Sequence, residues 1–83
     1  MTATLLDRHS IRAFLDRLQG RPDADLRDAF VCEAIETGGN FTAPTHGRPA
    51  VIRLHRITAV SSTEPTAITD WLAAARTAIA ETL

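Results

Sequence analysis

Three histidines, His9, His46 and His55, a single cysteine, Cys32, and the hydroxyl run Ser61-Ser62-Thr63 are the side chains from which this chain could assemble a reactive site. A metal site needs ligands in close pairs. None of the three histidines stands at ligand spacing from another histidine, from Cys32 or from a carboxylate. The local pattern places His9 in the first turn of a helix and His46 in an exposed turn. Cys32 falls in the middle of a helical stretch with Asp28 and Glu36 one turn away on either side. Carboxylates in those positions oppose formation of the thiolate that a nucleophile needs. The hydroxyl run precedes a helix and reads as capping material. Gly38-Gly39 is a helix stop and Gly47 a turn residue, so no glycine-rich phosphate loop exists. The expectation is a protein with no catalytic constellation, no metal and no cofactor.

Charge offers surfaces instead of chemistry. The formal net charge is −1, which exerts no global pull toward nucleic acid or membrane. Its distribution is uneven. Residues 21–37 carry Arg21 and Arg27 against Asp23, Asp25, Asp28, Glu33 and Glu36, net −3, whereas residues 38–60 carry Arg48, Arg53 and Arg56 with no acid, net +3. Asp25, Asp28, Glu33 and Glu36 are expected on the outer half of one helix, as a candidate acidic docking surface for a basic groove. Arg48, Arg53, His55 and Arg56 are expected to form a basic ribbon on a hairpin, the candidate surface for nucleic acid. Three arginines make a thin phosphate footprint, and the four aromatic residues mostly fall on core-facing positions, which leaves few rings for base stacking.

The elements that must carry these residues follow from periodicity. Ile11, Phe14, Leu15 and Leu18 recur at helical spacing, so a helix is expected over about 7–19, capped by Asp7, stapled by Leu6 and Ile11, and stopped by Gly20 and Pro22. A second helix is expected over about 23–37. Leu26, Phe30, Val31, Ala34 and Ile35 form its broad apolar side, and Asp25, Asp28, Cys32 and Glu36 the opposite one. Residues 40–43 read as a short strand, 44–49 as turn material, and 50–60 as one long strand, the two strands pairing as an antiparallel hairpin. In the long strand the alternation slips by one residue at Arg56-Ile57, which predicts a bulge or bend. A third helix is expected over about 64–82, with Ile68, Trp71, Leu72, Ala75, Ala78 and Ile79 on one stripe and Pro65 in its first turn. The fold class is therefore α+β in the order ααββα, a two-stranded hairpin covered by helices.

At 83 residues the chain is one domain. A domain of this size buries only roughly 60–65% of the surface that its unfolded chain exposes. One thiol forms no internal disulfide and suits a reducing cytosol. Neither a secretory signal nor an apolar run of membrane-spanning length is present in the sequence, so a cytoplasmic location is expected. All nine cations apart from the histidines are arginine, and 14 alanines and 11 threonines point to a GC-rich coding bias.

The strand Val51–Val60, the turn Ser61–Pro65 and the helix opening Ala67-Ile68-Thr69-Asp70-Trp71-Leu72-Ala73-Ala74-Ala75, together with Leu5-Leu6-Asp7 and Ile11-Arg12-Ala13-Phe14-Leu15, resemble the layout of small proteins from phages and prophages of GC-rich bacteria. Some proteins of that style are anti-CRISPR proteins directed at type I systems, type I-C among them. The resemblance implies a non-enzymatic inhibitor that docks on subunits of a type I surveillance complex in the bacterial cytoplasm and blocks target-DNA binding. It carries over no individual site residue. The alternative reading is a small nucleic-acid-binding or regulatory phage protein that uses the arginine-bearing hairpin.

Overall fold

Trp71 organises the interior. It is fully buried, and Phe14 and Phe30 stand edge-on to it, with ring centroids 5.6 and 5.3 Å away and 5.0 Å from each other. The three rings come from three helices, in the edge-to-face geometry that aromatic quadrupoles favour. The indole N–H also has a partner: Nε1 donates to the carbonyls of Ile57, at 3.2 Å, and Leu54, at 3.4 Å. One side chain thus joins the helical core to the sheet.

The computed structural model describes residues 8–80, apart from the side chain of Asp23. Helix α1 spans Arg8–Leu18, α2 Asp23–Thr37 and α3 Glu64–Ala80; strands β1 Asn40–Thr42, β2 Ala50–Leu54 and β3 Ile57–Ser61 form one antiparallel sheet in the order β1-β2-β3. The fold is α+β, with the element order ααβββα. The expected Asp7 cap, the Leu6 staple and the last residues of the third helix lie outside the described residues. Helix α1 buries Ile11, Phe14 and Leu18, and α3 buries Ile68, Trp71, Ala75 and Ala78, with Leu72 and Ile79 half-buried at its margin. Thr63 caps α3: its Oγ1 accepts the Thr66 N–H at 3.2 Å.

The stretch 50–60 is not one strand. The expected bulge at Arg56 is a complete chain reversal, and β2 and β3 pair from Leu54↔Ile57 out to Ala50↔Ser61. Both turn residues have positive φ, 52° at His55 and 69° at Arg56, as a two-residue type I′ hairpin requires. The usual signature of that turn is Asn-Gly or Asp-Gly. Here it is written His-Arg, which reads as strand. The one-residue slip in alternation is the trace of the reversal: Ile57 and Ala59 return to the face occupied by Ala50, Ile52 and Leu54, and all five are buried.

The inner face of the sheet lies against α3, and α2 meets β1 and β2. The outer face carries two cross-strand rows, Asn40–Arg53–Thr58 and Thr42–Val51–Val60. Gly39 lets α2 end directly on the sheet. A Cβ there would stand 2.5 Å from the Arg53 carbonyl oxygen and 2.7 Å from Leu54 Cδ2.

Candidate functional site

Two of the residues expected on surfaces meet in the interior instead. Glu33 is 6% exposed, and both of its carboxylate oxygens are engaged: Arg17 Nη2 donates to Oε1 at 2.6 Å, and His55 Nε2 lies 2.7 Å from Oε2. A carboxylate only accepts, so Nε2 carries the proton in that bond. The His55 side chain is itself buried, with the rings of Phe14 and Trp71 at 6.1 and 6.4 Å. Glu33 therefore leaves the acidic docking surface, and His55 leaves the basic one. The reason is the turn: left-handed backbone at His55 aims its side chain back at α2, where strand geometry would have alternated it outward.

The two candidate surfaces survive in reduced form. Asp25, Asp28 and Glu36 are exposed on α2, along with Cys32. The side of α2 that faces α1 is not purely acidic, because Arg17 and Arg21 line the same groove as Asp28 and Glu36, a depression of about 320 Å³. Farther round the helix, Arg27 pairs with Glu64 at 2.7 Å and lies over the Phe41 ring. That hydrogen bond and the Glu64 charge raise the Arg27 guanidinium above its ordinary range.

The outer face of α2 also carries a residue the sequence placed elsewhere. Ile35, expected on the apolar side, is 76% exposed. On a helix of 3.6 residues per turn, Asp25, Asp28, Cys32, Ile35 and Glu36 fall within about 100° of one another. Ile35 stands at one edge of this arc, with the carboxylates to one side of it and Ala24 and Val31 to the other. The same periodicity held the signal for both misplacements. Glu33 follows Leu26, Ala29 and Phe30 by seven, four and three positions, so it continues their buried stripe. Ile35 follows Asp28 and Cys32 by seven and three, so it continues the polar one.

The basic ribbon divides in two. Arg48 belongs to the tight turn between β1 and β2, where Thr45 and Arg48 exchange backbone bonds at 3.1 and 2.8 Å. Arg53 and Arg56 stand at the opposite end of β2. The five-residue strand between spans about 17 Å. Near the hairpin tip, Arg53, His55 and Arg56 share an open cleft with Thr37, Gly38 and Gly39.

Among the described residues no group of three or more His, Cys, Asp or Glu is placed to hold a metal ion, and no helix is long and apolar enough to cross a membrane. Comparison of the chain with protein-family models, with curated proteins and with solved structures finds no match.

Proposed function

We propose that this protein is a non-enzymatic binding protein that acts by docking the outer face of α2 on a basic groove of a partner protein. The observation that carries the reading is Ile35, three-quarters exposed at the edge of a carboxylate-bearing face. An aliphatic side chain held out in water contributes nothing to the fold. Buried in a partner's pocket it would serve as an anchor, and Asp25, Asp28 and Glu36 beside it would steer approach and set register against positive charge. The Glu33–His55 pair, the one carboxylate–imidazole contact among the described residues, has its imidazole enclosed and suits a tether better than a reacting group.

The resemblance in layout to small phage and prophage proteins names the partner to try first: the DNA-binding groove of a type I CRISPR surveillance complex, whose phosphate-binding surface is basic by necessity. In this reading the α2 face occupies that groove and keeps target DNA out. The test is inhibition of target-DNA binding by a purified complex, type I-C included, with wild type and with the triple variant Asp28→Arg, Ile35→Arg, Glu36→Arg. Wild type should inhibit at stoichiometric concentration, and the variant should lose inhibition while melting at the wild-type temperature. A folded variant that inhibits as well as wild type sinks the assignment of the α2 face. Failure of wild type on every type I complex tried sinks the choice of partner.

A further inference from the structure

The cleft between the end of α2 and the tip of the β2–β3 hairpin, about 420 Å³ in volume, holds two guanidinium groups that the fold does not use. Arg17 and Arg27 are paired with carboxylates, and Arg21 Nε donates to the Arg17 carbonyl. Arg53 and Arg56 line the cleft and are exposed, and among the described residues their side chains make no hydrogen bond or ion pair. Among the described residues no carboxylate lines the cleft, whose wall also includes Ser10 of α1. Glu33, behind His55, has both oxygens already occupied.

Two structural explanations for these arginines fall short. A cation beside a helix C-terminus is favourable in itself, but neither arginine donates to a carbonyl of α2, whose end is closed by the N–H groups of Gly38 and Gly39 donating to Ala34 O. Turn formation does not call for arginine either. Arg56 sits at φ 69°, a conformation that strains any residue with a Cβ and that glycine would adopt freely. At the neighbouring His55 the bond to Glu33 accounts for the choice of residue. At Arg56 no side-chain hydrogen bond or ion pair among the described residues does, and strained backbone positions cluster at ligand-binding sites.

We propose that this cleft is an anion site that takes a phosphate group, gripped by the paired forks of Arg53 and Arg56. Two guanidiniums match the two charges of a phosphomonoester. A nucleic-acid backbone presents the same group as a diester, but further cations would have to follow it, and Arg48 is a full strand length away. The site is separate from the Ile35 face of α2, so its failure leaves the docking reading intact.

The experiment is an NMR titration of the full-length, isotope-labelled protein with inorganic phosphate, adenosine monophosphate, unphosphorylated adenosine and a short oligodeoxythymidylate, following the amides of Gly38, Gly39 and Arg53 to Ile57. Phosphate and the nucleotide should bind saturably at these amides, and adenosine should not. The double variant Arg53→Gln, Arg56→Gln should weaken binding at least tenfold with the melting temperature unchanged, and Arg48→Gln should leave it intact. Arg56→Gly separates the two roles of that position, since it should raise the melting temperature yet weaken phosphate binding. Oligonucleotide binding that is tighter than that of the nucleotide and much steeper in salt assigns the phosphate to a nucleic-acid backbone. Equal or weaker oligonucleotide binding assigns it to a monoester. Absence of saturable binding by any phosphate-bearing probe, or a double variant that binds like wild type, overturns the proposal.

Discussion

Helices α3 and α2 are similar in length, 17 and 15 residues, and treat their sequence patterns in opposite ways. In α3 the positions at helical spacing, Ile68, Trp71, Ala75 and Ala78, are all buried, so composition and structure agree. In α2 a carboxylate is buried and an isoleucine is exposed, two positions apart. The carboxylate is tolerable because two partners from distant parts of the chain satisfy it. The isoleucine has no such compensation among the described residues. Agreement between local pattern and tertiary environment marks scaffold. Disagreement marks a long-range tether at Glu33, and at Ile35 it is the observation on which the proposed docking face rests.

The sharpest way to break this contrast is Trp71→Ala, which removes the side chain that joins all three helices to the hairpin. It should cost about 3–5 kcal/mol, enough to leave much of so small a domain unfolded, as read by denaturant titration. A melting temperature within a couple of degrees of wild type would show that α3 is not the scaffold element. Next in size is Glu33→Ala. It leaves the buried His55 imidazole without its acceptor and should destabilise by about 2–3 kcal/mol, whereas Glu33→Gln, which retains an acceptor, should lose visibly less. Equal stability of Glu33→Ala and wild type would demote the tether to an incidental contact.

Smaller effects sharpen the comparison. Arg56→Gly relieves left-handed strain but gives the unfolded chain more freedom, so the net gain should be about 0.5–1 kcal/mol, measured as a higher denaturant midpoint with an unchanged slope. A loss of stability would mean that the Arg56 side chain holds the turn. The smallest effect is expected for Ile35→Ser, within about 0.5 kcal/mol of wild type, as for exposed sites generally. A larger destabilisation would return Ile35 to the scaffold and remove the argument for a docking face.

Much of the fold was legible before the structure. The stripes of α1 and α3, the stop at Gly20-Pro22, the helix end at Gly38-Gly39 and the core position of Trp71 all follow from spacing and from residues with strong backbone preferences. The third strand was hidden because His-Arg is not a sequence that announces a turn. Histidine enters the left-handed region more readily than most residues, yet within a run of β-branched residues it reads as extended. The candidate sites were half legible. Asp25, Asp28, Glu36, Arg53 and Arg56 are on the surface where charge put them, whereas Glu33 and His55 are not.

Local periodicity, capping and helix stops act over a few residues, so they suffice to specify three helices, two of them clearly amphipathic, a β region between the second and third, and one hydrophobic core. Which charges face water is settled over longer distances. Arg17 and Glu33 are 16 residues apart and Glu33 and His55 are 22 apart, so no sequence window holds them together. Only when α1, α2 and the hairpin close on one another does burial of one carboxylate become affordable, since desolvation is then offset by two hydrogen bonds made within the same small volume. The same closure leaves Ile35, Arg53 and Arg56 facing outward, with no side chain among the described residues to pair with either arginine.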